Sequence, residues 1–208
     1  GFVVTGNYGN KDNLILKTDG QGNEQWRKSE RGRMSGAVQQ TVDGGFVVTG
    51  MGVNYELLLL KTDGQGIEQW RKAFGEGLGS SFQQTVDGGF IITGADGNYE
   101  ILLLKTDGQG NEQWRKTFGG GSHGSVQQTV DRGFVFTGGI GDDVLLLKMD
   151  GQGNEQWRKT FGVGVGNGVQ QTVDGGFVVT GRDGGWRDGQ VLLLKTNEVG
   201  YTEDLEDE

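Results

Sequence analysis

The 208-residue sequence predicts an all-β protein built from repeated four-stranded units. The segment Gly-Phe-Val-Val-Thr-Gly, or a close variant, starts at positions 1, 45, 89, 133 and 176, which is a period of 44 or 43 residues. Glycine supplies 43 of the residues and no window keeps a helical period, so helices are disfavoured. Four tryptophans keep the same period: Trp26, Trp70, Trp114 and Trp157.

Each repeat contains four short strand-like runs, which we label A to D using the third repeat. Strand A covers residues 82–86 and is followed by Asp-Gly-Gly, and strand B covers residues 90–93. Strand C covers residues 101–106 and ends in Asp-Gly-Gln-Gly-Asn, and strand D covers residues 112–118. Asp-Gly between β-branched and aromatic residues is a hairpin signal. The sequence therefore predicts four antiparallel strands in each repeat.

Four strands in one repeat of this length match one blade of a β-propeller. Strands B and C are continuous apolar runs, as in residues 46–48 and 57–60, which indicates burial on both faces between neighbouring blades. Strand D mixes charged residues with Trp and Phe, as suits an exposed outer edge. Paired glutamines in strand A suit an innermost strand that bonds to its neighbours; they are Gln39-Gln40, Gln83-Gln84, Gln127-Gln128 and Gln170-Gln171.

We expect a single propeller over residues 1–196 and an acidic C-terminal tail over residues 197–208. The repeats supply five B, five C, four D and four A strands. The favoured arrangement is five-bladed, with incomplete first and last blades or with strand exchange between subunits. The alternative is a four-bladed ring with a spare hairpin, closed by the last strand A joining the first strands B, C and D.

The turn after strand C carries a repeated spacing, Asp19-x-x-Gly22-x-x-x-Trp26, which recurs with Trp70, Trp114 and Trp157. It resembles the tryptophan-docking pattern of quinoprotein-type propellers, in which an indole packs against the neighbouring blade. Lys-Thr-Asp-x-x-Gly-Asn-x-x-Trp, followed by Lys-Thr-Phe-Gly and Gln-Gln-Thr-x-Asp-Gly-Gly-Phe, resembles the tandem propeller repeats of large bacterial and archaeal cell-surface proteins. The resemblance implies a secreted or surface-attached protein that binds or assembles, and it implies no catalytic residue.

Comparison of the internal copies separates two kinds of connection. The A–B and C–D turns hardly change, whereas the B–C and D–A connections change in nearly every copy. Because successive strands run in opposite directions, we expect the A–B and C–D turns at one edge and the B–C and D–A connections at the other. We call these edges the constant rim and the variable rim. A rigid scaffold that varies on one side is typical of a binding face, although drift in unconstrained loops would give the same pattern.

The variable rim carries the candidate ligand-binding residues. An exposed aromatic flanked by Arg and Asp suits stacking on a sugar ring or anchoring of a protein, which points most strongly to Trp186. For Tyr55 and Tyr99 we favour the interpretation that the rings fold back over the blade tops. The candidate set is Tyr8, Tyr55, Tyr99, Arg182, Trp186 and Arg187.

An acidic residue precedes strand C in four repeats. These acids could form a ring at the mouth of the central pore that attracts cations, but we favour their pairing with a Lys or Arg of the repeat. The four residues are Asp12, Glu56, Glu100 and Asp143.

Composition excludes several kinds of site. The absence of Cys excludes disulfides and thiol nucleophiles, and the one histidine, His123, is expected to be a surface residue rather than a catalytic or metal-binding one. Gly119-x-Gly121-x-x-Gly124 matches the dinucleotide fingerprint by letters, but no helix is predicted to follow it. The net charge is −9, five of these charges lie in the last six residues, and no basic stripe is present. We therefore expect neither nucleic-acid binding nor membrane insertion.

The sequence favours a non-enzymatic secreted or cell-surface propeller without a cofactor or metal. In this hypothesis the variable rim serves binding or adhesion, and the ligand is a carbohydrate or a protein. The alternative is a structural subunit that oligomerises or forms filaments through its incomplete terminal blades. A quinoprotein-type enzyme is the least supported reading, because only the packing motif is shared.

Overall fold

The computed structural model describes residues 1–8, 12–31, 36–184 and 189–202, and this part of the chain contains fifteen β-strands and no helix. None of the described residues therefore forms a helix long and apolar enough to span a bilayer. The all-β prediction is confirmed. The strands are β1 (Val3–Tyr8), β2 (Asp12–Thr18), β3 (Glu24–Arg31), β4 (Val38–Gln40), β5 (Phe46–Met51), β6 (Glu56–Thr62), β7 (Glu68–Gln84), β8 (Phe90–Asp96), β9 (Glu100–Thr106), β10 (Glu112–Gln128), β11 (Phe134–Ile140), β12 (Asp143–Met149), β13 (Glu155–Gln171), β14 (Phe177–Asp183) and β15 (Gln190–Thr196).

All the paired strands are antiparallel, and every pair joins strands that are consecutive in the chain, which is the up-and-down order of propeller blades; β3 and β4 are the consecutive described strands that do not pair. Sheet 1 consists of β1, β2 and β3, and sheet 2 consists of β4, β5, β6 and the first part of β7. Sheets 3 and 4 repeat the four-stranded arrangement around β8–β9 and β11–β12. Sheet 5 contains the last part of β13 with β14 and β15.

The D–A connections differ from the expected loops, because three of them are continuous strands. Each of β7, β10 and β13 is 17 residues long; its first part is strand D of one sheet and its last part is strand A of the next. In β7 the partner changes between Glu76, which pairs with Glu56, and Gly77, which pairs with Asp96. The eighteen expected strands therefore appear as fifteen in the described part of the chain.

A bulge in each of these long strands needs glycine. The register of β7 against β8 shifts between Gly79 and Ser81. A Cβ at Gly79 would lie 2.1 Å from Oγ1 of Thr49 in the preceding sheet, so a side chain cannot fit there. A Cβ at Gly166 in β13 would lie 1.9 Å from Oγ1 of Thr137 in the same way. Glycine thus allows the strand to cross from one sheet to the next in close contact.

The core is divided into layers between consecutive sheets. Ile91, Ile101 and Leu103 of sheet 3 pack with Phe134 and Leu145 of sheet 4, and each of these five side chains is fully buried. Equivalent clusters join sheet 1 to sheet 2, sheet 2 to sheet 3, and sheet 4 to sheet 5. Burial on both faces explains why strands B and C are apolar at every position rather than at alternate ones.

The outer faces of the first and last sheets are exposed. Phe2 and Val4 of sheet 1 are 62% and 53% exposed, whereas the equivalent Phe46 is buried. In sheet 5, Val191 and Leu193 are 89% and 72% exposed. These two faces are therefore not packed against each other.

The spare-hairpin alternative disagrees with the strand pairing. In that arrangement the last strand A would pair with the first strand B. Residues 168–171 instead pair with residues 177–180 of β14, and β14 pairs with β15. The last hairpin is therefore part of a three-stranded sheet with its own strand A.

The repeat geometry continues past residue 196. Asn197 takes the place of the turn aspartate, and its Oδ1 accepts hydrogen bonds from the backbone N–H groups of Val199 (3.1 Å) and Tyr201 (3.0 Å). The N–H of Gly200 closes the same turn on the carbonyl of Asn197 at 3.1 Å. Residues 197–202 thus belong structurally to sheet 5, and the acidic residues 203–208 lie outside the described part of the chain.

Candidate binding rims and docking sites

The turns are segregated to two rims. On the constant rim, a Cβ at Gly64 of the C–D turn would lie 3.1 Å from the carbonyl oxygen of Gly44 in the A–B turn. On the variable rim, the N–H of Gly77 in the D–A strand donates a 2.8 Å hydrogen bond to the carbonyl of Tyr55 in the B–C turn. Alternating strand direction produces this segregation.

The carboxylates of the C–D turns stabilise the turns themselves. Oδ1 of Asp107 accepts hydrogen bonds from the N–H groups of Gln109 (2.9 Å) and Asn111 (2.8 Å), and Oδ2 accepts one from Nδ2 of Asn111 at 2.9 Å. These bonds lower the pKa of Asp107, with the side chain of Asn111 contributing most. Within the described residues, no group of three His, Asp or Glu side chains could hold a metal ion.

A buried lysine joins strand C to the A–B turn. Nζ of Lys61 lies 2.9 Å from Oδ2 of Asp43, and it also donates to the carbonyl of Thr62 (3.0 Å) and to Oε1 of Gln69 (3.0 Å). The hydrogen bond from Thr41 is the largest influence on Asp43, followed by the one from Lys61, and together they lower its pKa to about 2. Lys105, Lys148 and Lys195 form the same ion pair in the later sheets. Because the ammonium group of Lys61 already has these three hydrogen-bond partners, we infer that the lysine has a structural role.

Each periodic tryptophan packs against the following sheet. Nε1 of Trp26 donates a 3.1 Å hydrogen bond to the carbonyl of Gly64, and the indole meets the ring of Phe46 edge-on with centroids 5.6 Å apart. A Cβ at Gly66 would lie 3.0 Å from the indole, so this turn position must be glycine. Trp70, Trp114 and Trp157 meet Phe90, Phe134 and Phe177 in the same edge-on manner. Edge-to-face contact suits the opposite partial charges of ring edge and ring face.

The glutamine pairs connect neighbouring A strands. Oε1 of Gln83 accepts a 2.6 Å hydrogen bond from the N–H of Gln128 in the next sheet. Oε1 of Gln128 in turn accepts a 2.9 Å bond from the N–H of Val86 in the sheet before. The equivalent bonds recur between Gln127 and Gln171, so the innermost strands are joined by reciprocal side-chain bonds rather than by a β-ladder.

The two described B–C tyrosines point outward, contrary to the expectation that they fold back as lids. Tyr55 and Tyr99 are 68% and 82% exposed. Both residues have left-handed backbones, with φ of 63° and 61°, because they close tight turns on Gly52 and Asp96. The left-handed conformation is unfavourable for a tyrosine, so these two turns lower the stability of the folded protein.

The remaining candidate residues are less informative. Arg182 is half-buried in β14, where its backbone pairs with Val191. Trp186 and Arg187 lie outside the described residues, and Tyr8 is described only as the last residue of β1. The structure therefore places Tyr55 and Tyr99 at equivalent positions on consecutive sheets, with Arg182 two sheets further along the chain.

A groove opens on the variable rim at the B–C turn of sheet 2. It has a volume of about 560 Å³ and is lined by Ser29 of sheet 1 and by Gly52, Val53, Glu56, Leu58, Arg71 and Ala73 of sheet 2. Oε2 of Glu56 is buried there, and no described residue donates a hydrogen bond to it. Arg71, which also lines the groove, forms an ion pair with Glu68, and the pairing of Glu56 with a Lys or Arg of the repeat stays a prediction. A single-sequence pattern shows the recurring acid but not which cation it faces.

Comparison with known proteins shows the fold. No family model and no curated protein matches the sequence. A crystal structure of a protein of unknown function from Bacteroides caccae matches with a TM-score of 0.60 and 11% identity, covering 94% of this chain and 72% of that one. The structure of the Dos1 propeller matches with a TM-score of 0.68 and 13% identity; the alignment covers 92% of this chain and about half, 52%, of that one. At such low identity the likeness concerns architecture alone, and that architecture is the β-propeller.

Proposed function

We propose that this protein is a non-enzymatic binding module and that its ligand-contacting surface is the variable rim. The observation that carries the proposal is the pair Tyr55 and Tyr99. Both rings project into solvent from the same turn position on consecutive sheets, although a left-handed tyrosine is unfavourable for folding. Strain that is retained at exposed aromatic residues is typical of a functional surface.

The chemistry of the rim favours a carbohydrate ligand. Aromatic faces stack on the apolar faces of sugar rings, and their hydroxyl groups supply hydrogen bonds at the edge. Glu56 lines a groove on the same rim, and a carboxylate there can accept hydrogen bonds from sugar hydroxyls. A protein ligand is the second possibility, because exposed tyrosines also anchor protein interfaces.

The setting that we propose is extracellular or on the cell surface. Support comes from the resemblance of the repeats to tandem propeller repeats of bacterial and archaeal surface proteins. A rigid scaffold held by repeated indole, lysine and glutamine contacts would present the rim without reorganisation. We propose both the extracellular setting and the non-enzymatic role.

A glycan array tests the proposal with matched variants. The test protein carries Tyr55→Ser and Tyr99→Ser, and the control carries Tyr201→Ser, which removes an exposed tyrosine from the opposite rim. We expect the unmodified protein and the control to bind the same glycans and the double variant to lose binding by roughly tenfold or more. A Trp186→Ala variant measured alongside tests the remaining aromatic candidate. Failure to bind any glycan, or equal binding by the double variant, would contradict a carbohydrate site at these tyrosines.

A further inference from the structure

Arg132 stands at a turn position that is otherwise glycine. It lies in the A–B turn of sheet 4, and the equivalent residues of the other described A–B turns are Gly44, Gly88 and Gly175. Its backbone is left-handed, with a φ of 66°, which is unfavourable for an arginine. Its exposed guanidinium group makes no hydrogen bond or ion pair with any described residue. No contact of the side chain within the described chain therefore offsets the strain of the turn.

The glutamine at the end of strand A in sheet 4 also differs from its counterparts. In the three glycine turns, Nε2 of this glutamine donates to the carbonyl of the turn glycine. The three bonds run from Gln40 to Gly44 (3.3 Å), from Gln84 to Gly88 (3.4 Å) and from Gln171 to Gly175 (3.3 Å). In sheet 4, Oε1 of Gln128 accepts the 2.9 Å bond from Val86, but its Nε2 has no acceptor among the described residues. One amide donor is therefore available beside Arg132.

These donors line one groove on the constant rim, between sheets 3 and 4. The groove has a volume of about 350 Å³, and Gln128, Arg132 and Gly151 lie on its sheet 4 side. Gln113 of sheet 3 adds a second amide, because its Oε1 accepts a 3.1 Å bond from Lys105 while its Nε2 has no described acceptor. A guanidinium group and an amide nitrogen can only donate, so the groove offers hydrogen bonds that suit a ligand rich in acceptors.

The charges along the groove favour a ligand with a single negative charge. Lys105 is buried, and its Nζ lies 2.9 Å from Oδ2 of Asp87, so these two lining charges balance each other. Arg132 contributes the remaining charge among the lining residues. A carboxylate matches the guanidinium fork with two parallel hydrogen bonds. A phosphate dianion would instead place excess negative charge beside Asp87.

We propose that this groove binds the carboxylate of an acidic sugar such as a uronate. Arg132 bonds to the two carboxylate oxygens, and Nε2 of Gln113 and of Gln128 bond to the ring and hydroxyl oxygens. Val86, which lines the same groove and is 78% exposed, packs against an apolar face of the sugar ring. The site lies on the rim opposite to the exposed B–C tyrosines, so it does not depend on glycan binding there.

An NMR titration of the intact, isotope-labelled protein with sodium glucuronate at constant ionic strength tests the site. We expect saturable shifts of the side-chain amide signals of Gln113 and Gln128, with a Kd of about 1–10 mM. Arg132→Gly should weaken binding roughly tenfold or more, and it should fold because it restores the residue of the other described turns. Arg132→Lys keeps the charge but loses the planar fork, so it should weaken binding by less. The control Lys28→Gln removes an exposed positive charge from sheet 1 and should bind normally.

Two further ligands separate the carboxylate from the sugar ring. Glucose has the ring without the carboxylate and should not bind, and N-acetylglycine has a carboxylate without the ring and should bind more weakly than glucuronate. Absence of saturable shifts at glucuronate concentrations up to about 50 mM would overturn the proposal, as would equal affinity of the Arg132→Gly variant. Equal binding of glucose would exclude recognition of the carboxylate, and equal binding of N-acetylglycine would overturn the assignment to a sugar.

Discussion

The indole Nε1 of Trp114 donates a 3.3 Å hydrogen bond to the carbonyl oxygen of Gly151, 37 residues later in the next sheet. The bond fixes the indole over Gly153, where a Cβ would lie 2.9 Å from its ring. Aromatic packing, a polar anchor and a glycine turn thus act together at each junction between sheets. These junctions add polar and aromatic contacts to the apolar clusters that join the sheets.

Alanine at a docking glycine should reveal the contribution of the indole contact. Gly110 and Gly22 both have positive φ; a Cβ at Gly110 would lie 2.8 Å from Trp70, whereas no described atom lies within 4 Å of a Cβ at Gly22. We expect Gly22→Ala to cost about 1 kcal/mol from backbone strain and Gly110→Ala to cost about 2–4 kcal/mol from strain plus overpacking. Urea denaturation of both variants measures the difference. Equal losses would show that backbone conformation alone selects glycine here.

Acid should weaken the lysine–aspartate junctions. The pKa of Asp43 is lowered to about 2, so its stabilising contribution is complete above its ordinary value near 3.8 and is lost as pH falls through about 2. We expect Asp43→Asn to lower the free energy of unfolding at pH 7 by about 1–2 kcal/mol, a figure reduced for the exposure of the carboxylate. The variant should also lose less stability than the unmodified protein between pH 4 and pH 2.

Asp142→Asn is the matched control for this pH series, because Asp142 is exposed and pairs with no described cation. Its unfolding curve should follow that of the unmodified protein at every pH. An unchanged acid slope for Asp43→Asn would mean that the ion pair with Lys61 does not form in solution.

The glutamine contacts can be tested at two equivalent positions. Oε1 of Gln127 accepts a 2.7 Å hydrogen bond from the N–H of Gln171 in the next sheet. The side chain of the equivalent Gln170 instead donates from Nε2 to the carbonyl of Gln171 in its own strand. We expect Gln127→Ala to cost about 1 kcal/mol and Gln170→Ala close to nothing, because only the first removes a bond between sheets. Thermal or urea unfolding distinguishes them, and equal effects would count against cross-sheet bonding.

The left-handed conformation of Tyr55 and Tyr99 should lower the free energy of unfolding of the protein. Asparagine tolerates the left-handed conformation better than tyrosine, so Tyr99→Asn should raise the free energy of unfolding by about 0.5–1 kcal/mol. Tyr201→Asn, at a residue without positive φ, should bring no such gain. Stabilisation by Tyr99→Asn together with loss of ligand binding would be the trade-off expected of a functional residue. Destabilisation would instead show that the ring supports the turn.

Arg132 presents the same strain on the constant rim. It has a φ of 66° at the A–B turn position where the other described turns have Gly44, Gly88 and Gly175. We expect Arg132→Gly to stabilise the protein by about 0.5–1 kcal/mol, and Gly88→Arg to destabilise it by a similar amount. The two substitutions should change the free energy of unfolding in opposite directions. A change in the same direction would show that backbone strain does not determine stability at this turn position.

Much of the fold follows from local patterns. The period of the repeats, the Asp-Gly turns and the two-sided apolar strands B and C predict four-stranded sheets stacked face to face, and the positions of the five sheets agree with that prediction. The D–A connections were expected to be loops because glycine clusters usually mark turns. In the structure those glycines allow an extended strand to pass close to Thr49 and Thr137, a contact that no local pattern reveals.

The candidate site was predicted only in part. Comparison of the repeats identified the B–C tyrosines, but the outward direction of Tyr55 and Tyr99 depends on turns closed by Gly52 and Asp96. The unpaired Oε2 of Glu56 likewise depends on which side chains surround it. Such facts arise from the positions of neighbouring elements rather than from the spacing of residue types.

The sequence alone determined the repeat, the strand order and the residues that form each turn, because these depend on contacts within one repeat. Only the tertiary structure decided that three D–A segments are continuous strands and that Tyr55 and Tyr99 project into solvent. Each of these depends on what lies across from a residue in the adjacent sheet. Each repeat carries both the tryptophan and the glycine turn of a junction, but only the tertiary structure shows which tryptophan packs on which turn.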